Sequence, residues 1–288
     1  MKFGPLVAAA IGSVALVCTL MAQRPFRQYP PWEPYENYPV PPDYKVPGEW
    51  TFARLMYPTT HYQIDWQSEY KRGWDWREGN TNWTIDYPRS DRHLALAIRR
   101  LSRIEAKSVE QPINLDDDDD VFNYPWLYAV EVGHWELTDS QIEKFREYLL
   151  RGGFFMCDDF HGTDEWNVFM ATMNKVFPDR KPIDLPDDSP IFHTVYDINE
   201  RYQVPGMQYT QTHSICEKCP TFPNYGTGGD NPRWRAILDD HGRVMVAICH
   251  NMDLGDSWEN ADDIRYPQKF SALGIRLGVN YITYAMSH

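Results

Sequence analysis

Basic residues are scarce in this chain. Its 28 Lys and Arg are outnumbered by 41 Asp and Glu, for a formal net charge of −13. Such a balance offers no clustered cations to lay along a phosphate backbone, which argues against nucleic-acid binding. Long apolar runs are lacking too. The longest, residues 6–22, is uncharged and mostly apolar, shorter than the roughly 20 residues of a typical membrane span. Cysteine is sparse, five in all. The one close pair, Cys216 and Cys219, is followed by Pro220, not by the histidine that covalent haem attachment needs. The acidic run Asp116–Asp120 lacks the glycine and terminal glutamate of an EF-hand loop and reads as a solvated loop. No internal repeat is visible. What is present is apolar and aromatic material: 42% hydrophobic residues, with 11 Trp and 18 Tyr among 288. That is ample for a core and argues against general disorder.

The chain divides in three. Residues 1–22 combine Lys2 with the apolar run and read as an export signal cleaved near Ala22, or as an uncleaved anchor in the inner membrane. Either places the remainder outside the cytoplasm, periplasmic or extracellular. Val17 before Cys18 is too bulky for the usual lipid-attachment pattern. Residues 23–48 are dense in Pro and Tyr. They are expected to form an extended spacer, with docking to an aromatic-lined partner groove as the alternative. Residues 49–288 hold the folded domain.

That domain is organised around residues 137–162. Thr138 and Gln141 have capping-box spacing. Ile142, Phe145 and Leu149 share a helical face, and Gly152 and Gly153 stop the helix. Phe154–Met156 is a short apolar run suited to a strand covered on both faces. Strands are also expected over 50–57, 109–115, 125–132 and 191–196, with a hairpin over 234–249 turning at His241-Gly242. A helix capped by Ser90 is predicted to run to about Ile104. Further helices are expected over 163–177 and 267–286. Cys157 and Cys249 each end an apolar strand and are expected to be buried.

Ligands of open α/β sheets bind beyond the carboxyl ends of the strands. Asp158, Asp159 and His161 follow one strand, and His250, Asn251, Asp253 and Asp256 follow another. Converging carboxylates and imidazoles can hold a divalent metal or act as acid and base in hydrolysis. Equally, such acids can cap the next helices. Asp158, Asp159, His161 and His250 are therefore the candidate catalytic residues. Arg54, Tyr57, Asp86, Tyr87, Asp91, Asn251, Asp253 and Asp256 are the candidate ligand-binding residues, although Arg54 can equally serve a buried acid. Trp166 and Trp258 suit a sugar face or a core. His213, Cys216 and Cys219 are spaced as three zinc ligands, with a Cys216–Cys219 disulfide the plainer reading outside the cytoplasm. No motif demands a cofactor; a divalent metal is the one group these side chains could take.

Four segments carry a resemblance: Tyr87-Pro88-Arg89-Ser90-Asp91-Arg92-His93-Leu94, Phe122–Tyr128, Gly152–Gly162 and Val244–Asn251. Through them the chain from Phe52 to His288 resembles the bacterial family called domain of unknown function 4159. That family is similar to class I glutamine amidotransferases and their trehalose-utilisation (ThuA-like) branch. The resemblance implies a flavodoxin-like, three-layer α/β sandwich with a mainly parallel sheet. It also implies partners in envelope systems, AAA-type ATPases and von Willebrand A-type proteins. An amidotransferase needs a cysteine at a strand-to-helix elbow, but no Gly-x-Cys-x-Gly is present, and Asp158 and Asp159 stand there instead. Two functions follow as expectations: a non-catalytic binding module of an envelope system, or a metal-dependent or acid/base hydrolase acting on a polar ligand such as a carbohydrate.

Overall fold

A computed structural model of the chain describes residues 24–35, 38–59, 75–211 and 229–288. The apolar start at 1–22 and the group His213, Cys216 and Cys219 lie outside the described residues. Among the described residues, seven strands form one sheet: β1 (Ala53–Met56), β2 (Gln111–Asn114), β3 (Trp126–Val130), β4 (Phe154–Asp158), β5 (Ile183–Asp184), β6 (Arg233–Leu238) and β7 (Val244–His250). Their order is β2-β1-β3-β4-β7-β6-β5. The five from β2 to β7 run parallel, and β6 and β5 continue the sheet antiparallel. The chain leaves β1 for β2 on one side and returns to β3 on the other, so the winding direction reverses between β1 and β3.

Strand alternation sorts the core. Trp126, Tyr128 and Val130 of β3 join one hydrophobic cluster with Leu94 and Ile98 of α1 (Arg89–Leu101) and Leu273 and Leu277 of α6 (Gln268–Ser287). Leu127 and Ala129 join the other, with Phe145 and Leu149 of α2 (Asp139–Leu150) and Phe169 and Met173 of α3 (Gly162–Val176). Central strands covered on both faces read as unbroken apolar runs, as Phe154–Met156 does. α2 begins at the expected capping box: Thr138 Oγ1 accepts the Gln141 N–H at 3.3 Å, and Gln141 Oε1 accepts the Thr138 N–H at 3.0 Å. Gly152, at φ 105°, then turns the chain into β4. A short helix, α5 (Leu254–Glu259), follows β7, and another, α4 (Met207–Gln211), meets it through the Met207 N–H donated to Asp256 Oδ2. Cys157 and Cys249 are free and buried. Asp116–Asp119 face solvent wholly or partly, but Asp120, expected in the same solvated loop, is buried at the start of a 3₁₀ turn, Asp120–Asn123, where the Asn123 amide donates to it at 3.3 Å.

Two local expectations change. Ser90 does not cap α1, which begins one residue earlier, after Pro88. Its hydroxyl instead lies inside the protein, accepting from Arg54 at 3.0 Å. Residues 191–196 are not a strand but a 3₁₀ turn, Pro190–Phe192, followed by bends. The side chain of Asn280 on α6 meets the Val195 and Tyr196 N–H groups and the Tyr196 carbonyl, so those backbone groups need no neighbouring strand.

Beneath the site, Arg54 of β1 is fully buried and every guanidinium donor is used. Nε meets Asp91 Oδ2 at 2.9 Å, and one terminal nitrogen meets the carbonyls of Trp83 (3.1 Å) and Ile85 (3.0 Å). The other meets Ser90 Oγ and Asp91 Oδ1. A five-donor fork satisfied in full ties β1 to the turn leading into α1. The Pro/Tyr-rich segment lies over that same turn, extended. Trp32 N–H donates to the Thr84 carbonyl at 3.1 Å, Asn80 N–H to Pro30 at 2.8 Å, and Glu33 Oε2 accepts the Asp86 N–H at 3.1 Å.

Removing one partner of a buried ion pair leaves an uncompensated charge and costs about 3–5 kcal/mol. Asp91→Ala is expected to lower stability by that amount in urea unfolding. Arg24→Ala, which breaks a partly exposed pair with Asp117, is expected to cost less than about 1 kcal/mol. Equal effects would contradict the pinning role of Arg54.

Candidate functional site at the carboxyl edge of the sheet

Parallel register brings four strand ends together. β1 leads into Tyr57, β3 into Glu131, β4 through Asp158 into Asp159 and β7 through His250 into Asn251; Arg233 pairs with His250, so the start of β6 joins them. Four non-glycine residues here have left-handed backbone: Asp86 (φ 61°), Glu131 (53°), Asp159 (51°) and Asn251 (65°). Such residues are uncommon and cluster where a site needs a fixed side-chain direction. Cross-links hold these turns. Asp159 N–H donates to Met252 O at 2.7 Å, Asn251 N–H to Phe160 O at 3.0 Å, and Gly162 N–H to Asn251 Oδ1 at 2.8 Å.

The acids divide into two kinds. Asp158 is fully engaged: Oδ1 accepts Tyr128 OH at 2.6 Å, and Oδ2 accepts the N–H groups of Leu254 (2.5 Å) and Gly255 (3.0 Å) at the start of α5. Burial raises its pKa to about 6 against the pull of these donors. Asp253 caps the same helix, accepting from Asp256 N–H at 2.7 Å. Asp86 is different. It is 4% exposed, and Oδ2 has no hydrogen-bond partner among the described residues. Gly255 makes room for it, since a Cβ there would lie 2.1 Å from that oxygen. Oxygens of Asp86, Asp253 and Asp256 lie within 4.8 Å of one another. Burial pushes the Asp86 carboxyl well above the usual range, and the charges of Asp256, Glu259, Glu33 and Asp159 add to it. Glu33 is pushed up to about 8 by burial and by Glu259. The guanidinium whose charge reaches Glu33 and Asp158 is that of Arg54, already committed to Asp91.

A second group stands at the switch between β1 and β3. Ligand atoms of Glu131, His134 and Glu165 lie within 4.8 Å of one another, with His134 Nε2 2.8 Å from Glu131 Oε2 and 3.7 Å from Glu165 Oε1. Glu165 Oε2 receives the His161 N–H at 2.5 Å. Tyr57 OH donates to the Val130 carbonyl at 2.7 Å, fixing the end of β3. His161 is buried with Nδ1 3.7 Å from Asp159 Oδ1.

His250 faces another way, into a cleft of about 220 Å³ with Trp166, Arg233 and Arg235. Its Nε2 lies 3.0 Å from the Gly162 carbonyl, so Nε2 carries the proton. Burial depresses its pKa to about 3, which keeps it neutral at physiological pH and unfit as a general acid there. Of the predicted residues, Asp86, Asp253 and Asp256 converge. Arg54 and Asp91 pair with each other below them, while the buried Tyr87 OH accepts from Tyr29 N–H at 3.1 Å. Trp258 is core and Trp166 lines the cleft. Glu33, Glu131, His134, Glu165, Glu259, Arg233 and Arg235 were not singled out in the sequence. Glu131-x-x-His134 after an apolar strand, and Arg-Trp-Arg at the start of β6, were the available signals.

The geometry is that of a mostly parallel α/β protein with a carboxylate-rich site at its strand ends. Residues 70–286 match the family model described as Domain of unknown function (DUF4159), and the chain belongs to that family. β1 and its Arg54 lie ahead of the matched span. A search of curated proteins finds no match.

The raised carboxyls set a pH slope. Glu33, ordinarily near 4.5, keeps its proton in the folded chain up to about pH 8. Between those values the folded state binds more protons than the unfolded one, so stability falls as pH rises. Urea midpoints are expected to drop from pH 5 to pH 8, and to drop less in Glu33→Gln. A midpoint that rises over this window would contradict the arrangement.

Proposed function

We propose that the chain is a cation-dependent binding module on a flavodoxin-like, three-layer sandwich of the class I amidotransferase kind, and not a working amidotransferase. The order β2-β1-β3-β4-β7 corresponds to the flavodoxin-like order 2-1-3-4-5, whose ligands sit at the β1/β3 switch. Cys157 and Cys249 offer no nucleophile: both are buried, and burial pushes their thiols well above the ordinary value, whereas a reactive cysteine needs an accessible thiolate. The resemblance adds an exported or inner-membrane-anchored setting through residues 1–22, with envelope AAA-type ATPase or von Willebrand A-type partners.

One observation carries the cation. Asp86 Oδ2 is buried, has no hydrogen-bond partner among the described residues, and lies close to two more carboxylates. A lone buried carboxylate is costly, and a bound cation reverses that logic. An all-oxygen set suits Mg²⁺, Mn²⁺ or Ca²⁺. The Glu131, His134 and Glu165 group supports a second reading, a metal-dependent hydrolase acting on a polar ligand, because a mixed nitrogen and oxygen set suits a catalytic transition metal.

Thermal melting with and without Mn²⁺ separates these. Wild type is expected to melt higher with the ion, by an amount set by mass action, about 2.7 kcal/mol at a hundredfold excess over Kd. Asp86→Asn is expected to raise the ion-free melting point, by roughly 2–4 °C per kcal/mol gained, since an amide beside the Asp253 and Asp256 oxygens supplies donors where a carboxylate adds like charge, and to abolish the ion response. A response that survives Asp86→Asn but is lost in His134→Ala would favour the hydrolase reading. No response in wild type would remove both.

A further inference from the structure

The cleft beside His250 has a chemistry of its own. It is lined by Gly162, Thr163, Trp166, Arg233, Arg235 and His250 among others. Arg233 and Arg235 alternate along β6, so both guanidiniums leave the same face of the strand. Arg233 makes no ion pair among the described residues. Arg235 uses Nε on Asp184 at 3.1 Å and lies over the Trp166 ring, 4.4 Å from its centroid, which holds the guanidinium in place. His250 is 6% exposed, and its Nδ1 is buried without a hydrogen-bond partner among the described residues. Because Nε2–H is given to the Gly162 carbonyl, Nδ1 presents a lone pair. An exposed arginine pair alone is ordinary solvated surface. Two guanidiniums converging with a buried, unsatisfied acceptor are not, because leaving that acceptor unmet costs free energy.

We infer that this cleft binds a small anion that also carries a hydroxyl group, its charge held by Arg233 and Arg235 and its hydroxyl proton donated to His250 Nδ1. The class is a phosphate ester or carboxylate of a polyol. Guanidiniums recognise either anion by paired N–H donors, and a neutral imidazole nitrogen selects a donor hydroxyl over a bare anion. The volume, below the roughly 300–1,000 Å³ of drug-sized pockets, sets a monosaccharide-sized limit. This names a ligand for the binding module proposed above and rests on that reading, but its contacts do not include Asp86, Asp253 or Asp256.

Calorimetric titration of the full chain tests it with four probes: glucose 6-phosphate, glucuronate, glucose and inorganic phosphate. At least one of the first two is expected to bind tenfold or more tightly than both glucose and phosphate; which one it is distinguishes ester from carboxylate. Arg233→Met, at a half-buried position on β6, is expected to weaken that binding at least tenfold while keeping the Mn²⁺ melting response. His250→Asn is expected to weaken the hydroxylated anion and leave phosphate unchanged. Glucose binding as tightly as its phosphate, phosphate binding as tightly as the ester, no binding of either hydroxylated anion, or an unaffected Arg233→Met would each overturn the inference. Anion binding that persists in a chelator and in Asp86→Asn, with no Mn²⁺ response in wild type, would sink the cation reading alone.

Discussion

The Arg54 guanidinium organises this edge of the protein. It sits at zero exposure on β1 and satisfies all five donors on Asp91, Ser90 and the carbonyls of Trp83 and Ile85. A charge so placed is stable only if every donor is met. That requirement fixes the path of residues 83–91. The path forces Asp86 into the left-handed region, a conformation Asp tolerates better than most residues, and directs its carboxylate toward α5. The Arg54 charge is committed to Asp91 and reaches Asp86 as one of several acids, so it offsets that carboxyl only in part. Core closure and an under-compensated carboxyl are thus two results of one interaction.

The remaining acids show how a single edge serves both fold and site. Asp158 and Asp253 work as caps, supplying negative charge and acceptors to the start of α5, where helix amides point outward. Asp86 and Glu33 have no such full complement, and burial together with nearby like charges raises both above the ordinary carboxyl range. Native proteins are only marginally stable, so carboxylates kept together in this way point to a function that outweighs their cost. The extended N-terminal segment belongs to this balance: Glu33 accepts from Asp86, and Tyr35 meets Glu259.

Much of the fold was legible in the sequence because its signals are local. The Thr138–Gln141 capping box, the Gly152 stop, the apolar run of β4 and the hairpin at His241-Gly242 each depend on a few adjacent residues. So did the prediction that strands ending at Asp158 and His250 share an edge. What was not legible depends on distant partners. Glu131 and Glu165 are brought to one point only by the β3–β4 pairing and the first turn of α3. Ser90 looked like a cap because its rival, Arg54, lies 36 residues away. Asn280 replaced a strand partner for residues 195–196 from 84 or 85 residues away. Glu33 sat in a segment whose proline content spoke only of extension.

In the function proposed above, Asp86, Asp253 and Asp256 enclose a divalent cation. Crystals of the protein grown with Mn²⁺ and measured at the manganese absorption edge test it most directly. An anomalous peak is expected within about 2.0–2.6 Å of oxygens from these three carboxylates, the range of hard-cation bonds. A peak at Glu131, His134 and Glu165 alone, or none at this edge, would contradict it.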